Sequence, residues 1–390
     1  MKTKLTTLVQ EIYPEVVTWR HGLHRHPEIS RQEFATASFI EEILRDLGLE
    51  PHRVDGTGVV CNIRGQGEGP VLLLRGDTDA LPIHEETELP YASVLEGTMH
   101  ACGHDLHTAA LLGAGKILAQ NKDLFRGTVR LCFQHAEEVG HGAIQFLKEG
   151  WLEGDACFAM HVYPTFDLGK IAVRPGPMMA SVDYIKVTVQ GESAHVASPH
   201  EGIDALAAAA EMITALQQIV SRHSDPFEPL VLGIGKLEAG MAYNIVAEQA
   251  TFEGTLRCLK ESTRERVLKS VRDLVEGIAA GYGAQVTLEV TPYTDVLFNE
   301  EQESYRMMDI IRERYGEESL MREFPASLAG EDFALFVKQM PGCMAFVGTR
   351  EEGRPETCHP LHSRFLGFGD SALQTMMELH LSFVADHAGL

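Results

Sequence analysis

Short apolar runs alternate with helical periodicity through the first half of the chain. Val71-Leu72-Leu73-Leu74 has no polar residue and ends in Arg75-Gly76-Asp77-Thr78-Asp79. Val129-Arg130-Leu131-Cys132-Phe133 leads to His135-Ala136-Glu137-Glu138, and Cys157-Phe158-Ala159-Met160 leads to His161. Phe34 to Leu47 repeats its apolar positions at helical spacing and stops at Gly48. Apolar strands separated by helices predict an α/β unit whose mostly parallel sheet is covered on both faces. Ligands of such sheets gather beyond the carboxyl ends of the strands. All three polar clusters fall at those ends, which points to one shared site.

The pattern changes at Arg174-Pro175-Gly176-Pro177, a turn-rich stretch suited to a hinge. Val182 to Val189 then alternates as a half-exposed strand does. An Ala-rich helix is predicted from Ile203 to Val220, with Ile203, Leu206, Ala210, Ile213 and Leu216 along one face. Strands at Val231–Leu237 and Ala250–Arg257, a helix from Ser262 to Ala279 and a strand at Gln285–Val290 follow. Strand, helix, two strands, helix, strand is the order of an α+β ferredoxin-like unit. Thr291-Pro292-Tyr293 is expected to return the chain to the first unit. The expected organisation is therefore a domain of residues 1–177 and 292–390 carrying an inserted domain of residues 178–291.

Composition narrows the function classes. A chain of 390 residues is too long for one ordinary core, and 44% hydrophobic with 23% charged residues is a globular balance. A net charge of −23 repels phosphate backbones and anionic lipid, so no nucleic acid and no membrane partner is expected. The N-terminal stretch has no apolar core of a signal peptide, and no run approaches the ~20 apolar residues of a membrane helix. The seven cysteines are odd in number and scattered, which fits a reducing cytoplasm.

Candidate chemistry concentrates in Met99-His100-Ala101-Cys102-Gly103-His104-Asp105-Leu106-His107. A thiol, three imidazoles and a carboxylate this close suggest a transition-metal site. Cys102 could instead be a core residue or a nucleophile paired with His104. A nucleophilic thiolate needs an electropositive setting, whereas Asp105, Glu137 and Glu138 surround it with negative charge unless a cation sits among them. The adjacent Glu137 and Glu138 suit a division of labour in which one holds metal and the other takes a proton from water. The bland alternative is an acidic surface turn. Asp77 and Asp79 follow a core strand, where carboxylates orient a ligating imidazole or cap a turn. His161 and His362 are lone imidazoles that gain meaning only from the others. In the inserted domain, His195 follows a strand, and Arg257 suits bidentate capture of a carboxylate or simple solvation at a sheet edge.

With these residues in place, the chain resembles the M20 metallopeptidase/amidohydrolase family. The nearest branch is that of N-acyl-L-amino acid amidohydrolases, which includes hippurate, indole-acetyl-amino-acid and N-acetyl-diaminopimelate hydrolases. The matching pieces include Arg20-His21-Gly22-Leu23-His24-Arg25-His26-Pro27-Glu28, Arg75-Gly76-Asp77-Thr78-Asp79, His100-Ala101-Cys102-Gly103-His104-Asp105 and Gly330-Glu331-Asp332-Phe333. The resemblance implies a Zn-peptidase-type (phosphorylase/hydrolase-like) catalytic domain with an inserted lid and dimerisation domain. It also implies two divalent ions, zinc foremost with manganese, cobalt or nickel as alternatives, bound by Cys102, His104, Glu138, His161 and His362. Cys102 would bridge them and Glu137 would be the general base. His195 would help hold the substrate carbonyl, often across a dimer interface, while Asn244 and Arg257 would line the substrate's polar end. The implied reaction is hydrolysis of N-acyl amino acids, acetyl, benzoyl or similar, by a homodimer or higher oligomer. A dipeptidase or carboxypeptidase with the same metal chemistry is the alternative. Three departures stand out: His135 replaces the usual Pro, His141 replaces the common Gly, and Ser363-Arg364-Phe365 shortens the usual segment after His362.

Overall fold

The computed structural model describes residues 2–389. The chain forms two compact units. One takes the chain up to Gly176, Phe298–Pro325 and the chain from Asp332 onward; the other takes Pro177–Leu297 with Ala326–Glu331. Among the described residues, no helix is long and apolar enough to cross a membrane.

In chain order the elements are α1 (Lys2–Arg25), α2 (Phe34–Asp46), β1 (His52–Val54), β2 (Gly58–Arg64), β3 (Gln66–Asp77), α3 (His104–Gln120), β4 (Arg126–Gln134), β5 (Ala156–Asp167) and β6 (Ile171–Ala172). Next come β7 (Ser181–Gln190), α4 (Ala205–Arg222), β8 (Leu230–Ala239), β9 (Gln249–Cys258), α5 (Glu261–Tyr282) and β10 (Gln285–Thr294). The chain finishes with α6 (Glu301–Tyr315), β11 (Leu320–Met321), β12 (Gly342–Arg350) and α7 (Ala372–His387).

The first unit is built on an eight-stranded sheet in the order β1-β2-β4-β3-β5-β12-β6-β11. Its centre, β4-β3-β5-β12, is parallel, with antiparallel pairings of β2 to β4 and of β6 to β12 on either side. Leu72, Leu73, Leu74 and Phe158 are buried, as a sheet covered on both faces requires. The helix α3 is buried almost all round, packing on β3, α1 and α7. Its Ala- and Gly-rich sequence, LLGAGKILA, allows that close approach on every side. The expected α/β class and mostly parallel sheet are what the structure contains.

The second unit has the strand order β10-β7-β9-β8, antiparallel throughout, which is ferredoxin-like. Both helices pack on the sheet around Ile185, Val187, Val189, Phe252 and Val271. One expectation needs correction. The buried face of α4 is Ala205, Ala208, Ala209, Met212, Leu216 and Ile219, while Leu206 is 47% exposed. In an Ala-rich helix the small residues lie closest to the sheet, so the larger apolar residues are a poor guide to the buried stripe. The helix starts one residue after Asp204, whose carboxylate accepts from the Leu206 and Ala207 N–H groups. The strand β10 also runs on through Thr291 and Pro292 to Thr294 instead of ending at Val290.

Candidate metal centre

The segment between β3 and α3 places the thiol and the first imidazole. Gly103 caps α3 with φ 86° and ψ 18°, a left-handed conformation. A Cβ there would collide with Val162 and Phe368, so the backbone turns sharply between Cys102 and His104 only because no side chain intervenes. The turn is anchored from behind by Asp105. Its Oδ2 accepts from Arg20 Nε at 2.8 Å and lies 2.9 Å from His24 Nδ1, all three side chains being buried. Arg20 also reaches Tyr91 Oη at 2.7 Å and Asp370 Oδ1 at 2.8 Å. Burial would raise the Asp105 carboxyl, but Arg20 and His24 outweigh it and hold the group far below the usual carboxylate range.

The ends of β3 and β4 lead to Asp77 and to Glu137 and Glu138, but the expected strand end at His161 is not there: β5 runs on to Asp167. Cys102 Sγ lies 3.4 Å from His161 Nε2 at the middle of β5. His161 donates from Nδ1 to the Val162 carbonyl at 2.7 Å, which leaves Nε2 as the lone-pair nitrogen. His104 Nδ1 is 3.2 Å from Asp79 Oδ1, while its Nε2 is 3.6 Å from Asp77 Oδ2 and 3.9 Å from Glu138 Oε1. His362 Nε2 is 3.5 Å from the same Glu138 oxygen. Ligand atoms fall into overlapping groups, each within 4.8 Å: Cys102, His104 and His161; Cys102, Glu138 and His362; His104, Glu137 and Glu138. The structure thus brings six of the candidate residues together.

Two of the four non-glycine residues with positive φ among those described belong to this site. Ala136 at φ 51° sets the turn carrying Glu137 and Glu138, and His362 stands at φ 66°. Backbone held in such sparsely populated regions clusters where the surrounding structure over-determines it. Glu33 Oε1 accepts from the Ala136 N–H at 2.8 Å, Asp79 Oδ2 accepts from the Glu138 N–H at 3.0 Å, and the His362 N–H donates to the Ala101 carbonyl at 2.9 Å.

Electrostatics test whether these residues suit a cation. His104 Nε2 and Glu138 Oε1 are buried with no hydrogen-bond partner. Burial lowers the His104 pKa, yet Asp77, Asp79 and Glu138 overturn that and push it up to about 10. The carboxylates therefore demand a positive charge at Nε2, as a proton or as a metal ion. Burial and the charges of Glu138 and Glu137 push the Cys102 thiol well above its ordinary value, which disqualifies it as an unassisted nucleophile. Soft and borderline donors, orphaned polar atoms and surplus negative charge together fit divalent metal.

Sequence reasoning placed Asp77 and Asp79 behind the imidazoles but missed the groups that hold Asp77. Asp77 Oδ1 accepts from His107 Nδ1 at 2.5 Å, and His107 Nε2 accepts from the Val162 N–H at 3.0 Å. Asp77 Oδ2 accepts from Arg75 at 2.6 Å, and Arg75 also binds Gln134 Oε1 at 3.0 Å and Asp332 Oδ1 at 3.2 Å. Burial pushes the Asp332 carboxyl up to about 6 in spite of Arg75. His107 stood in the Cys/His cluster, but nothing in its spacing distinguished a residue that orients Asp77 from a ligand.

The remaining candidates lie in the second unit. His195 is exposed, and its Nδ1 accepts from the Ala197 N–H at 3.0 Å. Asn244 is also exposed, and its backbone carbonyl accepts from the Val196 N–H at 3.1 Å. Arg257, partly buried on β9, donates to the Leu328 carbonyl at 3.0 Å.

Comparison with known proteins agrees with this chemistry. The chain is 39% identical over 350 residues to the N-acetyl-L-cysteine deacetylase of Bacillus subtilis strain 168, covering 89% of this chain and 82% of that one. It is 43% identical over 286 residues to an N-acyl-L-amino acid amidohydrolase of Geobacillus stearothermophilus, covering 73% and 77%. A solved structure from Bacillus subtilis, described as a dinuclear metal binding peptidase from the M20 family, matches with a TM-score of 0.84 at 34% identity, covering 97% and 99%. The profile of peptidase family M20/M25/M40 matches residues 73–386. The chain belongs to that family and is a hydrolase of amide bonds.

Proposed function

We propose that this chain hydrolyses N-acyl amino acids, acetyl or benzoyl and similar, to a carboxylate and a free amino acid at a centre for two divalent ions. The observation that carries the reading is the convergence of Cys102, His104, Glu137, Glu138, His161 and His362, with His104 Nε2 and Glu138 Oε1 buried and unpartnered. The names of the relatives, a deacetylase and an N-acyl-L-amino acid amidohydrolase, support the substrate class. Cys102, His104, Glu138, His161 and His362 are the residues that would hold the ions. Zinc is the first candidate, and the mixed softness of the donors also suits manganese, cobalt or nickel.

When bound, such ions polarise a carbonyl and acidify water. Glu137 takes the proton of the attacking water, whose oxygen bonds to the acyl carbon. The C–N bond then breaks, and Glu137 returns the proton to the leaving amine. His195 suits the carbonyl oxygen: with Nδ1 accepting from Ala197, a neutral ring carries its hydrogen on Nε2. A well-placed donor of this kind contributes about 3–4 kcal/mol. Asn244 and Arg257 hold the substrate's free carboxylate. Residues 178–291 act as lid and dimerisation domain on the catalytic domain of 1–177 and 292–390, and the enzyme works as a cytoplasmic homo-oligomer.

The test is hydrolysis of N-acetyl, N-benzoyl and longer N-acyl amino acids by metal-stripped protein, with zinc, manganese, cobalt or nickel restored separately and a dipeptide as control. Metal-dependent release of free amino acid from the N-acyl substrates, faster than from the dipeptide, is the expected result. Silence with every metal, in protein shown to hold two ions, would overturn the proposal.

A further inference from the structure

Three residues of the first unit that the proposed reaction leaves unused converge beside the Ala136 turn. His135 follows β4, His141 precedes the short helix Gly142–Lys148, and Asp55 lies in the turn between β1 and β2. One ring nitrogen of each histidine and one Asp55 oxygen lie within 4.8 Å of one another. His141 Nε2 is 2.9 Å from Asp55 Oδ2, and His135 Nε2 is 3.6 Å from the same oxygen.

The His135 side chain is 1% exposed, and neither of its ring nitrogens has a hydrogen-bond partner. Buried polar atoms are normally satisfied, so this ring calls for an explanation. Its Nδ1 side is closed: a Cβ added to Gly58 would stand 2.6 Å from Nδ1, and Phe146 packs alongside with ring centroids 6.4 Å apart. Nε2 is therefore the nitrogen that faces the gap between Asp55 and His141. The neighbouring groups cannot complete the set. His141 Nε2 also lies 3.0 Å from the Gln145 side-chain amide nitrogen, and one neutral nitrogen cannot both accept from that amide and donate to Asp55. Asp55 itself is held at φ 46°, left-handed for a non-glycine residue, with its N–H donating to Glu149 Oε1 at 3.0 Å.

We propose that Asp55, His135 and His141 bind a borderline divalent transition-metal ion of the zinc, cobalt or nickel type, at a site separate from the Cys102 centre. Two imidazole nitrogens and a carboxylate oxygen are a donor set these ions take, with water completing the shell. The side chains of Asp55 and His141, 41% and 27% exposed, give the ion a way in. The ion ties the β1–β2 turn to the chain just before Glu137.

Cobalt titration of metal-stripped full-length protein tests this, because only the Cys102 centre contains sulfur. Cobalt content per chain after dialysis and the absorption spectrum are compared for the wild type, Asp55→Asn and His141→Ala. Asparagine tolerates the left-handed backbone and His141 is partly exposed, so both variants are expected to keep the fold. The wild type is expected to bind one more cobalt per chain than either variant. That extra ion contributes d–d bands and no thiolate-to-cobalt charge transfer, and the charge-transfer band stays intact in both variants. Equal cobalt content in all three proteins would mean a water-filled polar pocket and overturn the proposal. Loss of the charge-transfer band in the variants would also overturn it, by showing that the two sites are not separate.

Discussion

Glu137 and Glu138 are adjacent in sequence yet differ in setting, and that difference divides their roles. Glu138 carries the unpartnered Oε1 between His104 and His362, whereas Glu137 groups with His104 and Glu138. Glu137→Ala is therefore expected to keep its metal content, measured by elemental analysis, while turnover falls by about 10²–10⁴-fold, the usual reach of general acid–base catalysis. A metal-replete variant with near-normal turnover would remove Glu137 from the mechanism. At this scale the sequence showed residue types well, because thiol, imidazole and carboxylate in one short stretch mean little else than metal. It could not show the partners that orient them. Arg20 meets Asp105 across 85 positions and Gln134 meets Asp332 across 198, and no local spacing encodes either contact.

Strand ends were the most legible elements. The runs before Asp77 and His135 are mostly apolar because the sheet is covered on both faces, so the polar residues after them mark strand ends, whereas His161 lies inside β5, which runs on to Asp167. The helix α1 escaped notice although Leu5, Leu8, Val9, Ile12 and Val16 recur at helical spacing, because Pro14 lies inside it. The stripe of α4 was misplaced for the opposite reason, an excess of alanine. The turn before α3 makes its own prediction. Gly103→Ala puts a side chain on a left-handed residue, costing about 1–2 kcal/mol, and drives Cβ into Val162 and Phe368, adding about 1–3 kcal/mol of overpacking. Urea unfolding should show a loss of about 2–5 kcal/mol. A loss under about 1 kcal/mol would mean that the backbone relaxes and that Gly103 does not fix the Cys102–His104 geometry.

At the scale of the whole molecule, the two units have separate hydrophobic cores, and all the proposed metal ligands lie in the first. Metal that binds only the folded state stabilises it by about 4 kcal/mol at a thousandfold excess over Kd. Chelation should then lower the melting transition of the first unit by about 8–16 °C, at about 2–4 °C per kcal/mol, and leave that of the second unit in place. The stripped protein should also become pH-sensitive. Without metal, the His104 proton is the charge that offsets Asp77, Asp79 and Glu138, and its pKa is raised from 6.5 to about 10. A raised folded-state pKa gives stability that is complete below the unfolded value and lost as pH climbs through the folded one. The first transition of chelated protein is therefore expected to fall steadily between about pH 6.5 and 10. The metal-loaded protein should lack that term, because the ion occupies the nitrogen that would otherwise titrate. Calorimetry across that range, with and without chelator, separates the two cases: parallel curves would mean that His104 faces no metal, and diverging curves would place the ion at its Nε2.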